Sequence, residues 1–344
     1  MTPRCPLPHD EGERLLLGHG AGGRLTGELL DQLVLPALGG APDGPLEDAA
    51  LVPSLPELVV STDSFVVSPR FFPGGDIGSL AVHGTVNDLA MRGAMPLALS
   101  LAVIAEEGLP LEELRTLLSS AGKAALDVPV PVVTGDTKVV DRGAADGLFL
   151  TTTGIGRRMT GLTPSAARAL PGDAVLLSGP IGLHGMAVLS TRENLGFASE
   201  IVSDSRCLHR LVAALSPLGP ALHTLRDPTR GGLAAALNEI ARDARVAIEI
   251  EERTLPVPEP VAAACDLLGL DPLTVANEGC LVAFVPADRT DEALSALRSL
   301  PEGAAALRIG TVREGPAARV SLRTLVGAKR IVDMPLGEQL PRIC

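Results

Sequence analysis

Short apolar runs at residues 58–61, 98–104 and 130–133 are each bounded by Pro, Gly or charged positions, the pattern of strands buried in a sheet. Between the last two, residues 109–126 carry Leu111, Leu114, Leu117 and Leu118 at helical spacing, with Glu112 and Glu113 placed to favour the helix N-terminus. Residues 77–91 have the same character, and 148–154 reads as a further strand. After a polar turn at 166–173, Ala174-Val-Leu-Leu-Ser178 opens a second series, with helices at 231–242 and 260–268 and strands at 246–250, 281–285 and 319–322. The two halves share a rhythm but no residue-level repeat. The pattern predicts an α/β (α+β) chain of two layered domains, mixed sheets covered by helices, with the break inside 154–158: residues 1–156, then 157–330. Residues 331–344 follow as a flexible extended arm, because Pro335, Gly337 and Pro341 exclude a helix or a central strand. That arm ends in Cys344.

The chain has 344 residues, more than one hydrophobic core usually supports, which agrees with two domains. Its formal net charge of −12, without a basic cluster, argues against nucleic acid and anionic membranes as partners. The 5 cysteines are scattered and odd in number, and none forms a C-x-x-C pair; neither a disulfide framework nor a zinc site is indicated, and a reducing cytoplasm suits them. Residues 1–14 lack the apolar stretch of a signal peptide, and no run is long and apolar enough to span a membrane. With Trp and Tyr absent and 6 Phe, the core is built from small aliphatic side chains.

Four kinds of segment carry candidate chemistry. Gly18-His-Gly-Ala-Gly-Gly-Arg24 precedes a helix-like stretch at 25–35, and its amides suit either a phosphate cradle or a simple turn. Aspartates are read as following strand ends three times, at Asp63, at Asp88 within 81–91, and at Asp136; Asp48 offers a fourth carboxylate. Any one of them alone reads as a cap or turn residue rather than a ligand, but three carboxylates beside a glycine loop, with Asn87 and Lys138, suit a hard, oxygen-preferring Mg²⁺ and a nucleotide. Arg226-Asp-Pro-Thr-Arg-Gly-Gly232 is a well-specified helix start that also suits an anion. Asn277-Glu278-Gly279 reads as a turn ahead of a strand.

With Thr62-Asp-Ser-Phe-Val-Val67, Phe72-Pro-Gly-Gly-Asp-Ile-Gly78, Ala81-Val-His-Gly-Thr-Val-Asn-Asp-Leu-Ala90, Gly135-Asp-Thr-Lys-Val-Val140, Ala276-Asn-Glu-Gly279 and the terminal Gly337-Glu-Gln-Leu-Pro-Arg-Ile-Cys344 in view, the chain resembles the HypE hydrogenase maturation family. That family belongs to the PurM-like group of ATP-using proteins, with aminoimidazole ribonucleotide and selenophosphate synthetases, and the Pro-Arg-Ile-Cys end selects HypE within it. The resemblance implies that a HypF-like partner delivers a carbamoyl group to the terminal thiol. ATP then drives its dehydration to an S-cyanide, which passes to iron on a HypC–HypD-like complex.

Carried over by position, Cys344, Lys138 and Glu278 are implied as catalytic, the last two handling protons. Asp63, Asp88 and Asp136 are implied as Mg²⁺ ligands, with Thr62, Asn87 and Thr137 beside them at ATP and Gly20, Gly22 and Gly23 as the phosphate loop. His83 suits packing or nucleotide contact equally. Leu183 stands where an acidic residue is expected and Cys280 where a basic one is common, which bears on a domain contact and on ATP affinity. A homodimer with a barrel-like sheet interface is the group's usual assembly. Selenophosphate or thiamine-phosphate synthesis, and a non-catalytic nucleotide-binding scaffold, are the competing readings; Cys5 lacks the Lys neighbour the first needs.

Overall fold

The computed structural model describes residues 14–16, 28–39, 57–195, 201–316, 318–335, 340 and 342–344. A four-stranded sheet forms the first half: β1 (Leu58–Phe65), β4 (Ala94–Glu106), β5 (Val132–Val140) and β6 (Leu148–Arg158), in the order β1-β6-β4-β5. A small hairpin of β2 (Phe71–Phe72) and β3 (Gly75–Asp76) precedes helix α1 (Ile77–Met91), and helix α2 (Leu111–Asp127) links β4 to β5. The β4–β5 pair is parallel and the other pairs are antiparallel, so the sheet is mixed. α2 forms where the leucine spacing predicts it, burying Leu114, Leu117, Leu118 and Ala121.

The second half is a seven-stranded mixed sheet ordered β13-β12-β9-β11-β7-β10-β8. Its strands are β7 (Ala174–Leu177), β8 (Thr224–Arg226), β9 (Ala247–Glu251), β10 (Val282–Val285), β11 (Leu307–Arg313), β12 (Arg319–Arg323) and β13 (Lys329–Ile331). Helices α3 (Leu183–Arg192), α4 (His209–Leu215), α5 (Gly232–Ala244), α6 (Glu259–Leu268) and α7 (Thr290–Arg298) complete it. Both faces of this sheet are covered. Val282 and Phe284 join the cluster around α5, while Ala283 and Val285 join the one around α4 and α7, so alternate residues of β10 enter opposite cores.

The expectation is a sheet covered by helices, but among the described residues helices cover only one face of the first sheet. Along β1, Leu58, Val60, Thr62 and Ser64 are exposed in alternation, with Leu58 46% and Val60 63% accessible. Ile104 of β4 extends the same open apolar face.

The strand expected at 130–133 runs Val132–Val140 instead, and β1 extends through Asp63 to Phe65. Asp63 and Asp136 therefore sit inside strands rather than in loops beyond them, and Asp88 lies within α1. The Thr-Gly-Asp-Thr-Lys composition of 134–138 reads as a turn, but an edge strand with an open face tolerates polar side chains and bonds its backbone to β4. β8, β11 and β13 and helices α3, α4 and α7 were absent from the pattern reading. β13 reaches Ile331, and the Val332 amide bonds Val320, so the arm begins about two residues later than expected.

Helix α1 starts with a capping box, Asp76 accepting from the Ser79 amide at 2.9 Å while Ser79 accepts from the Asp76 amide at 3.1 Å. It crosses α2 through Gly78, where a Cβ would lie 1.9 Å from the Leu117 carbonyl oxygen. Backbone cannot yield as a side chain does. Gly78→Ala is expected to cost roughly 2–3 kcal/mol and to lower the thermal midpoint of the domain; an unchanged melt would mean that the two helices separate without cost.

Candidate functional site

Strand parity decides which side chains can meet. Asp63 pairs with Thr152 of β6, whose side chain is fully buried against α1, so Asp63 shares the helix-covered face. Asp88 on α1 faces it: Ser61, on the same face of β1, donates to the Asp88 carboxylate at 2.6 Å. Asp227 and Glu278, 8% and 2% exposed, come from the second half and complete an acidic cluster. Burial pushes the Asp227 carboxyl up to about 7, with the neighbouring Asp88 charge next in weight. Burial also holds Glu278 well above the usual carboxylate range, aided by repulsion from Asp227, Asp204, Asp63 and Asp88. Asp63 is raised by burial, partly offset by the Ser64 amide, and Arg230 tempers it further.

Asp136 and Lys138 stand apart. Asp136 registers with Ala102 and Lys138 with Ile104, on the open face of the sheet, and Asp63 lies across it at about three strand spacings, or ~14 Å. Lys138 donates to Asp136 at 2.9 Å, which lowers the Asp136 pKa. Thr137 donates its amide to the same carboxylate at 2.8 Å, and Thr62 bonds Thr153 on the open face. One chain therefore brings Asp63 and Asp88 to Glu278 but leaves Asp136 and Lys138 elsewhere. Gly20, Gly22, Gly23, Asp48 and Cys5 lie outside the described residues.

Asn87 is buried and committed to backbone: it donates to Arg206 O at 3.0 Å and Glu278 O at 3.4 Å, and accepts from the Leu208 amide at 2.7 Å. His83 pairs with Ser205 at 2.9 Å, the packing alternative. Leu183 is half-buried at the start of α3, against the first core, where it fills space rather than presenting charge. Cys280 is fully buried and its thiol is held protonated by desolvation, so it adds no charge to the cluster. Asp227 and Asp204 were not singled out from the sequence; the signal for Asp227 was its place in Arg226-Asp-Pro-Thr-Arg-Gly-Gly232, whereas Asp204 had none.

The chain end is docked. The Ser68 amide donates to Arg342 O at 3.2 Å and the Val66 amide to Cys344 O at 3.1 Å, an antiparallel register that prolongs β1. Arg192 donates to Ser68 O and Arg342 O at 2.7 Å each, and Arg342 donates to Val66 O at 3.0 Å while pairing with Asp146 at 2.6 Å. Leu340 and Ile343 are buried in the first core, and Cys344 packs half-buried against it. His184 Nε2 lies 2.8 Å from Ile343 O, its ring held edge-on by Phe72.

Among the described residues no group of three or more His, Cys, Asp or Glu side chains could hold a metal ion unaided. The donor set nevertheless fits Mg²⁺, which takes one or two carboxylates and completes its octahedron with phosphate oxygens and water. Asp227 and Glu278, raised by burial and then by repulsion from neighbouring carboxylates, are groups whose charge a cation would relieve.

Profiles described as AIR synthase related protein, N-terminal domain and C-terminal domain, match residues 46–158 and 171–323. Carbamoyl dehydratase HypE of Azotobacter vinelandii is 52% identical over 327 residues, 95% of this chain and 96% of that one. A crystal structure of hydrogenase maturation protein HypE in complex with ATP is similar with a TM-score of 0.91 at 48% identity, covering 96% of this chain and 100% of that chain. A chain of a HypE–HypF complex is similar at 0.79 and 48% identity, covering 81% and 90%.

Burial drops the His184 pKa from 6.5 to about 4, offset in part by its bond to Ile343. The unfolded imidazole takes its proton near 6.5 and the folded one only near 4, so the stability present above 6.5 is lost as pH falls between those values. Denaturant titration is expected to show about 2 kcal/mol of the loss between pH 7 and pH 5 vanishing in His184→Gln. An identical pH dependence in the variant would remove His184 from the account.

Proposed function

The chain belongs to the HypE family of hydrogenase maturation proteins, carbamoyl dehydratases, and on that premise we propose that it uses ATP to convert an S-carboxamide on the Cys344 thiol into an S-cyanide. The observation that carries this reading is the seat of the last residues: Cys344 registers with Val66, a short step along the chain from Asp63. A thiol on an arm can receive a carbamoyl group from a HypF-like donor, dock, and leave for a HypC–HypD-like iron carrier; the similarity to a chain of a HypE–HypF complex supports the first partner. The proposed division of labour is an ATP-binding domain at 1–156, a second PurM-like domain at 157–330, and the arm at 331–344.

The chemistry balances. The carboxamide oxygen attacks the γ-phosphorus of ATP and ADP leaves, turning a poor leaving group into phosphate. The nitrogen loses two protons as the C–O bond breaks, giving S–C≡N, ADP and inorganic phosphate. Asp63 and Asp88 would hold Mg²⁺, which when bound offsets charge on the transferring phosphoryl. Glu278, a carboxyl with a raised pKa, suits removal of the amide protons. The Gly20, Gly22 and Gly23 loop would cradle the phosphates.

Asp136 and Lys138 enter through a second copy. The open face of the first sheet carries Leu58, Val60 and Ile104 between β1 and β5, its outer strands among the described residues, and apposing two such faces would bury them in a homodimer. We propose that Asp136 and Lys138 of one copy serve the carboxylate site of the other, Lys138 sharing the proton handling with Glu278. A reducing, cytoplasmic compartment keeps the thiol available; no described helix is long and apolar enough to cross a membrane.

Intact-mass measurement with ATP, Mg²⁺ and a carbamoyl donor is expected to show an increase of about 43 Da, then about 25 Da, both absent in Cys344→Ala. Glu278→Gln is expected to stop at the first adduct. A scaffold would gain neither mass. Mixing inactive Asp136→Asn and Glu278→Gln copies is expected to restore about a quarter of wild-type turnover, because half the dimers would carry one intact shared site; no recovery would place both residues in one chain's site.

A further inference from the structure

Segment 201–208 lies outside any helix or strand up to His209, yet side chains of both halves converge on it. The Ser203 amide donates to Pro73 O at 2.8 Å, and Ser203 Oγ accepts from the Ser205 amide at 3.1 Å. Ser203 Oγ also lies 2.8 Å from His184 Nδ1, while His184 Nε2 lies 2.8 Å from Ile343 O. A carbonyl only accepts, so Nε2 carries the proton; in the neutral ring Nδ1 is then the acceptor and Ser203 the donor. The relay has one direction, from the Ser205 amide through Ser203 and His184 to the carbonyl of the residue before Cys344.

The next residue faces the other way. Asp204, 4% exposed, accepts from the Glu278 amide at 3.2 Å and the Gly279 amide at 2.9 Å. A Cβ at Gly279 would lie 1.6 Å from Asp204 O, so the turn fits this loop only as glycine. Adjacent side chains of one loop thus hold the backbone of the terminal arm and the backbone of Glu278.

We propose that Ser203, His184 and Asp204 are positioning residues that couple the docking of the C-terminal arm to the presentation of Glu278. Loss of the relay frees the arm and loosens the turn, and loss of the Asp204 contacts does the same in reverse, as coupling between two sites requires. The catalytic consequence rests on the roles given to Cys344 and Glu278 above, but the coupling itself is mechanical.

The test uses full-length protein carrying Cys5→Ser, alkylated with iodoacetamide and followed by peptide mass and amide hydrogen exchange. Burial pushes the Cys207 thiol up to about 12 and Cys265 up to about 11, so Cys344 is expected to react first. His184→Ala is expected to raise the alkylation rate of Cys344 on the order of tenfold, the weight of one lost buried hydrogen bond. It should also raise exchange at residues 340–344 and at Glu278 and Gly279. His184→Gln, which keeps a donor, is expected to restore the slow rate, and Asp204→Asn to raise exchange at both places. Ser203→Ala removes the same relay without a large cavity and takes over the test if His184→Ala does not fold. Unchanged alkylation in the relay variants, or a freed arm with an unchanged Glu278 turn, would overturn the coupling. Failure of the dehydratase reading would show separately, as absence of the mass adducts in wild-type protein.

Discussion

The structure depends on satisfying the polar backbone of two irregular segments, 201–208 and 277–279, pressed between the two halves. Buried amides and carbonyls without partners cost several kcal/mol each, so such segments survive only where side chains reach them. Asn87 from α1 supplies three of these contacts, His83 and His184 fix the two serines, and Asp204 caps the turn. The side chains that hold the halves together are the neighbours of the carboxylates in the candidate site. Packing and site geometry are therefore one problem: a change at Asn87 shifts Asp88 and the Glu278 turn together.

That arrangement places like charges together at low exposure. Burial raises the pKa values of Asp63, Asp227 and Glu278, and repulsion from neighbouring carboxylates, Asp88 among them, raises them further. Hydrophobic packing of the kind seen at Gly78 or along β10 would be more stable, so the cluster is a cost the fold sustains for what it can bind. Its electrostatics suit a divalent cation carrying phosphate.

The buried strands and the leucine-spaced helix were legible because apolar runs and helical spacing are local properties of the sequence, as at 98–104 and in α2. The carboxylates Asp63 and Asp88 stand out in the sequence, and the fold brings them together with Asp227 and Glu278. Asp136 was misplaced because 134–138 is polar and glycine-bearing, and only pairing with β4 makes it a strand. Asp204 gave no sign, since its function is to accept amides from residues some seventy positions away. Arm docking is hidden for the same reason: its partners are Val66, Ser68, Asp146, His184 and Arg192, brought close only by the completed fold.

The docked arm is also weakly held in net terms, which suits the travelling role proposed for it. Burying Leu340 and Ile343 contributes about 3–6 kcal/mol, and the hydrogen bonds of Arg342, Ile343 and Cys344 add roughly 1 kcal/mol each. Ordering the last five residues costs about 5–10 kcal/mol. The two sides nearly cancel, so the seat is specific in register and readily emptied. A deeper apolar anchor would hold Cys344 at one station, and no anchor would leave the thiol without a defined approach to the carboxylates. The specificity comes from directional bonds to Arg342 and Ile343, which fix where the sulfur sits without adding much to how firmly it stays.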